Sequence, residues 1–426
     1  MTIRTTLLAG AATALATAAA TGAAAEDLTL VEVITSPERT EVLEGLIASW
    51  EEETGHAVEV VSLPWGQAFE TLATMVAGGD TPDVVEMPDR WLALYSGADH
   101  LMDLGPAVAE WEHGGTLTEQ TTRMGSMTAA GALEQIPYGF YLRAMFYNKD
   151  LLAEAGIDGP PETMEEFVAA AEAVSQLDGK SGYCLRGGPG GTNGWMMFAA
   201  AMNDEPAFFD EEGQATIDQP GAVEGLQALI DLYQSGAAPR DSVSWGFNEI
   251  VAGFYSGTCA FLDQDPDALI GIRDRMDAES FAVAPMPKGP GGRGFPTIGY
   301  AGWSVFADTE HPDAATSLAL HLSSPEANAE WAKFVGVIPI HEGADQDPYF
   351  RTEQFAGWFE TLQNPDTYVP LVMPTHLEGF GYFADQLSIE TAQQALLGEI
   401  TAQELADQWA EYLNEEQAKF EEAAAE

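Results

Sequence analysis

The chain has 426 residues, with 16 lysines and arginines against 68 aspartates and glutamates, and a formal net charge of −52. So acidic a surface makes nucleic acid and anionic membranes poor partners and mainly favours solubility. The length exceeds what one hydrophobic core ordinarily serves, so two domains are the expectation.

Residues 1–25 read as a secretory signal peptide. Arg4 supplies the positive start, Leu7 to Ala20 is a short Leu- and Ala-rich stretch, and Ala23-Ala24-Ala25 fits a small-residue cleavage pattern. The apolar run is shorter than the roughly 20 residues of a spanning helix. No cysteine stands near the cleavage point to carry a lipid. The expectation is an exported periplasmic protein, neither membrane-embedded nor lipid-anchored. Cys184 and Cys259 are the only cysteines, which excludes a disulfide scaffold. A single disulfide and two buried thiols stand equally open, because spacing does not give their separation.

Leu28 to Ile34 predicts a strand. Ser36-Pro37 then reads as a cap followed by proline at the first helical position, with Val42, Leu43, Leu46, Ile47 and Trp50 at helical spacing up to Gly55. Val58 to Leu63 predicts a second strand, and Phe69, Leu72, Met75 and Val76 a helix closed by Gly78-Gly79. Pro82 to Met87 predicts a third strand. Strands alternating with helices imply a parallel α/β architecture. Further on, Thr163-Met164-Glu165-Glu166 and Thr401-Ala402-Gln403-Glu404 are capping boxes that open helices. Pro220 and Ser324-Pro325 open two more, and Thr258 to Asp263 reads as a strand.

Signatures of catalysis are missing. The seven histidines form no HExxH pattern, the cysteines no CxxC pair, and there is no GxSxG elbow. Gly187-Gly188-Pro189-Gly190-Gly191 lacks the Gly-Lys-Ser/Thr ending of a phosphate loop and reads as an ordinary loop. Paired carboxylates for glycoside hydrolysis stay in view, since so many acidic residues guarantee chance pairs. Aromatic residues in turn-like contexts are more distinctive: Pro64-Trp65-Gly66-Gln67, Asp89-Arg90-Trp91, Asn193-Gly194-Trp195, Ser244-Trp245-Gly246 and Gly299-Tyr300-Ala301-Gly302-Trp303. Several follow strands, where open α/β sheets place their ligand crevice. Aromatic faces with a polar rim suit a sugar, which has an apolar ring face and peripheral hydroxyls.

Five segments in order resemble the extracellular solute-binding proteins of the family that includes maltose-binding protein. They are Glu53-Thr54-Gly55-His56-Ala57-Val58, Gly79-Asp80-Thr81-Pro82-Asp83-Val84-Val85, Pro137 to Leu152, Ala284-Pro285-Met286-Pro287-Lys288-Gly289-Pro290, and Ser323-Ser324-Pro325-Glu326-Ala327. The resemblance implies a two-lobed α/β periplasmic binding protein fold of type II. Each lobe would be a mostly parallel sheet flanked by helices, and both would be discontinuous. Lobe one would hold 26–140 and 285–333, lobe two 144–280 and 337–426, with hinge crossovers near 140–143, 281–285 and 333–337. It further implies a monomer that captures a mono- or oligosaccharide or polyol between its lobes and delivers it to the membrane permease of an ABC importer, with no catalysis, cofactor or metal.

Carried over residue by residue, lobe one supplies Trp65, Gln67, Asp89, Arg90, Tyr300 and Trp303, and lobe two supplies Arg143, Asn193, Trp195, Trp245 and Asp263. Tyr141 lies on the crossover, and His341 falls where relatives often have arginine. Where relatives read D-G-P-W-A, this chain has Asp263-Gln264-Asp265-Pro266-Asp267-Ala268, without the stacking tryptophan. Either Trp195 or Trp245 replaces it, or the ligand is more polar. Arg39, which joins the candidate set, together with Arg90, Arg143 and Arg186 keeps an anionic sugar derivative or a glycerol phosphoester as alternatives. A secreted carbohydrate-active hydrolase is the alternative from another class.

Overall fold

The computed structural model describes residues 25–128, 130–205, 208–343 and 346–425. The proposed signal peptide lies almost wholly outside the described residues. No described helix is long and apolar enough to cross a membrane.

Among the described residues ten strands form two sheets: β1 (Asp27–Glu32), β2 (Ala57–Ser62), β3 (Val84–Pro88), β4 (Ile136–Leu142), β5 (Ala144–Asn148), β6 (Ser181–Tyr183), β7 (Cys259–Gln264), β8 (Phe281–Ala284), β9 (Thr297–Val305) and β10 (Leu371–Val372). The first sheet runs β10-β9-β3-β1-β2 with β4 also paired to β9, and the second runs β6-β7-β5-β8. The expected mostly parallel sheets are mixed instead. β1 pairs in parallel with β2 and β3, and β10 with β9, but β9 runs antiparallel to β3 and β4. In the second sheet only β6 and β7 are parallel, and β5 runs antiparallel to β7 and β8. The strands that carry the chain between sheets arrive from the far side, so they point against the strands of the local βαβ units.

Local chemistry fixes the helices as anticipated. The Ser36 hydroxyl accepts from the Arg39 amide and opens helix Pro37–Thr54, which Gly55 closes at φ 79°. Thr163 and Glu166 form the reciprocal box that opens helix Met164–Val174. Thr401 and Glu404 bond each other's amides in the same way. Leu30, Val31, Val84 and Val85 are fully buried in the central strands of the first sheet.

The chain changes sheet at one residue, Arg143, which separates β4 from β5. It does not return at Ala284. The stretch 286–295, which the resemblance puts in lobe one, stays beside the second sheet. There Lys288 pairs with Glu162 at 3.1 Å, and the Lys288 carbonyl accepts from the Met164 amide. Met286 and Phe295 are buried with the core of that half, and Thr297 begins the return. The last expected hinge also shifts. Ile338 still bridges Phe140, and His341 bridges Leu117. The chain then meets the second half again at Tyr349, whose hydroxyl accepts from Arg273 at 2.8 Å, and at Trp358 against Phe146, ring centroids 5.5 Å apart.

Cys184 and Cys259 form a disulfide with a Cα–Cα distance of 5.4 Å, which decides between the two open alternatives. It ties the end of β6 to the start of β7.

Candidate functional site

Asp89 opens helix Asp89–Gly97 directly after β3. Its carboxylate accepts from the Arg90 amide at 2.7 Å and from the Tyr300 amide at 3.2 Å. Burial outweighs the neighbouring Arg90 and pushes its pKa up to about 6. The Arg90 guanidinium lies over the half-buried Trp65 ring at 5.5 Å, Trp65 stacks on Trp91 at 5.5 Å, and Phe69 packs beyond Trp91 at the same distance. This column of a cation and three aromatic rings stands at the carboxyl end of β2 and β3. Asp385, from the segment Phe383–Leu387, holds it in place: it accepts from Arg90 at 3.3 Å and from the Trp91 indole at 2.8 Å. Asp385 comes from the second half, because the Thr192 hydroxyl donates to the Ala384 carbonyl and helix Ser388–Leu396 follows.

Arg143 and Arg186 line the facing wall. Arg143 donates to the Asp263 carbonyl at 2.9 Å and its carboxylate at 3.2 Å, and its Nε lies 2.9 Å from Asp265. The Tyr183 hydroxyl donates to the other Asp263 oxygen. Burial would lower the Arg143 pKa, but Asp265 and Asp263 raise it above the ordinary arginine value. Arg186 behaves in the opposite way, pushed down to about 10 by burial and then by the like charge of Arg143. Asp267 is pushed up to about 7, first by burial and then by Asp265. The loop after Arg186 approaches the opposite wall: a methyl group added at Gly66 would sit 3.8 Å from Pro189. Arg90 is near enough to contribute to the Arg186 shift.

The candidates are thus divided. Trp65, Asp89, Arg90, Arg143 and Asp263 converge between the halves. Gln67 is exposed, two residues along the helix from Trp65. Asn193 sits half-buried in the first turn of helix Thr192–Asn203, its Oδ1 without a partner. Trp245 is half-buried against Gly253, beside the disulfide. Tyr141 is buried, its hydroxyl 2.7 Å from that of Tyr138.

Five candidates belong to the interior instead. Trp303 is 1% exposed, packed against Tyr138 and Trp331, because β9 is flanked on both sides and buries both of its faces. Tyr300 is buried on the same strand. Trp195 meets Trp409 in the core of the second half. His341 is buried between Thr116 and the Ser323 carbonyl, with its pKa lowered mainly by burial. Arg39 pairs with Glu86 at 2.7 Å, donates to the Tyr138 hydroxyl and lies over Trp331 at 4.7 Å. A guanidinium so enclosed pins strands to a helix and does not face a ligand.

Sequence reasoning does not single out Asp385 or Asp267. Asp267 is visible only as part of the departure from D-G-P-W-A, and Asp385 has no motif around it. No group of three or more His, Cys, Asp or Glu that could hold a metal occurs among the described residues.

A family model for bacterial extracellular solute-binding proteins matches residues 36–329. A Deinococcus radiodurans protein named as a probable ABC transporter-binding protein is 29% identical over 65% of this chain and 67% of its own length. The sn-glycerol-3-phosphate-binding periplasmic protein UgpB of Pectobacterium atrosepticum is 26% identical over 55% of this chain and 53% of its own. In fold, the chain resembles maltose-bound MalE3 of T. maritima, with a TM-score of 0.78 and 23% identity over 91% of this chain and 99% of that one. The chain belongs to the bacterial extracellular solute-binding protein family. Its matched relatives are transport binding proteins, which sets aside the hydrolase alternative.

Proposed function

We propose that this member of the family is the ligand-capturing component of an ABC importer. On this reading it is exported by its signal peptide to the periplasm, acts as a monomer, and holds a sugar or other polyhydroxylated solute between two lobes before docking on a membrane permease. Lobe one comprises 27–142 with 297–341 and strand β10, and lobe two 144–295 with the rest of 350–425, each built on one of the two sheets. Hinge closure around a solute is the usual motion of such architecture, and an interlobe cleft is a preferred place for a site.

The observation that carries the reading is the convergence of Arg90 over Trp65 on one lobe with Arg143 and Arg186 on the other. The half-buried Trp65 offers apolar indole surface to a sugar ring. The flanking guanidiniums and carboxylates offer donors and acceptors to its hydroxyls. Thermal unfolding against a panel of mono- and disaccharides, polyols, sugar acids and phosphoesters tests it. A ligand at 100 times its Kd stabilises by about 2.7 kcal/mol and raises the midpoint, and Trp65→Ala should abolish that shift. Turnover of the bound compound, or no shift with any compound, overturns the reading.

A further inference from the structure

We propose that lobe two carries an anion subsite in which Arg186, enclosed by the glycine loop that follows it, receives a phosphate or carboxylate group of the captured solute. This deepens the reading above and rests on it.

Arg186 is 8% exposed. Its one hydrogen bond runs from Nε to the Pro189 carbonyl at 2.6 Å, and both terminal nitrogens are without hydrogen-bond partners among the described residues. The Phe247 ring centroid lies 5.8 Å from its guanidinium carbon. Arg39, Arg90 and Arg143 each lie within 4.0 Å of a carboxylate. Arg186 does not, in a chain with 68 acidic residues. Asp263 is held by Arg143 and Tyr183 and Asp265 by Arg143, while Asp265 and Asp267 act on Arg186 only from beyond ion-pair distance. A buried cation without a partner is costly, and a ligand that brings the counter-charge removes that cost on binding. The depressed Arg186 pKa has the same origin.

The backbone around it is suited to the same group. Gly190 has φ +81°, and a Cβ there would lie 2.3 Å from the Arg186 Nη2, so only glycine lets the loop close over the guanidinium. The loop leads straight into helix Thr192–Asn203, a 12-residue helix. No side chain caps that helix at its first residue. Free amides and the positive end of the helix dipole favour negative charge at that terminus. Arg186, Gly190, Gly191 and Gly194 line one small pocket, with Arg143 and Asp263 on its other side. The segment lacks the lysine of a nucleotide phosphate loop, and the arginine before it takes that place.

Matched pairs of solutes test the proposal on the mature protein: glycerol against glycerol 3-phosphate, and glucose against glucuronate and glucose 6-phosphate, by calorimetric titration. The charged member of at least one pair should bind tenfold or more tighter, and the phosphate and carboxylate arms identify the group. Arg186→Gln should erase that preference, the charged member losing tenfold or more in affinity relative to the neutral one, whereas Arg186→Lys should keep part of it. Asn193→Asp, a carboxylate in a first helical turn where folding tolerates it, should weaken the charged member alone. Equal binding of both members, no binding of either, or a preference that survives Arg186→Gln overturns the subsite. Binding of neutral solutes without charge preference would leave the capture function standing, so the two failures are distinguishable.

Discussion

Arg39 and Arg186 are both more than nine-tenths buried, at 3% and 8% exposure, and their settings differ. Arg39 lies between two glutamates, Glu86 at 2.7 Å and Glu32 at 3.9 Å, with a tyrosine hydroxyl and an indole against it. Arg186 has a backbone carbonyl, a phenyl ring and no carboxylate. The first arrangement is charge-paired, and its charges hold helix Pro37–Thr54 to β1 and β3. The second lacks a counter-charge. The contrast teaches that burial alone does not separate structural from functional arginines, and that the supply of partners does.

The largest expected effect breaks the comparison if it fails. Arg39→Met strands Glu86 and Glu32 in the interior and should destabilise the protein by about 3–5 kcal/mol in urea unfolding. Arg186→Met removes a cation that has no carboxylate partner and should leave the midpoint unchanged or higher. Equal losses for the two variants would mean that Arg186 has a structural role like that of Arg39. Next comes the disulfide, which closes a loop of 75 residues in sequence separation and anchors the strand end two residues before Arg186. In the chain-entropy account a loop of this size contributes about 4 kcal/mol. The Cys184→Ala/Cys259→Ala protein should unfold correspondingly earlier, as should the protein under reductant.

A smaller effect sharpens the comparison at Arg90, a half-buried arginine of the cleft. Arg90 takes its carboxylate from Asp385, 295 positions away in sequence. Asp385→Asn should keep the fold but loosen the stack of Arg90 on Trp65. The expected loss is about tenfold in solute affinity, or about 1.4 kcal/mol, seen mainly as faster release. Unchanged affinity would show that the stack holds itself.

How much of the molecule is legible in its sequence follows the range of the interactions involved. The caps at Ser36, Thr163 and Thr401 are contacts across three residues, and the residue types alone announce each of them. The strands follow from local apolar runs. Trp303 misleads because its neighbouring glycines suggest a loop, whereas β9 is an interior strand flanked by β3 and β4. A strand buried on both faces loses the alternation that would have marked it. Asp385 is illegible because its role depends on a partner brought from the other end of the chain. Arg186 stands out in the sequence for its charge, but its lack of a carboxylate is a property of the folded interior.

The last effect concerns pH. Asp89 has a folded pKa of about 6 against an ordinary 3.8, with burial as the leading cause. The native state therefore binds more protons than the unfolded chain between those values. The associated stability is fully present below about pH 4 and is lost as pH rises toward 6. Asp267, pushed up to about 7, acts with the same sign and extends the window by a unit. One group contributes a slope of at most about 1.4 kcal/mol per pH unit, superimposed on the opposite trend of the paired carboxylates. Asp89→Asn keeps the shape, cannot ionise, and should flatten that component between pH 4 and 6 when urea midpoints are compared with the wild type. An identical pH profile in the variant would mean that Asp89 titrates normally, with its two amide donors and Arg90 offsetting the cost of its burial.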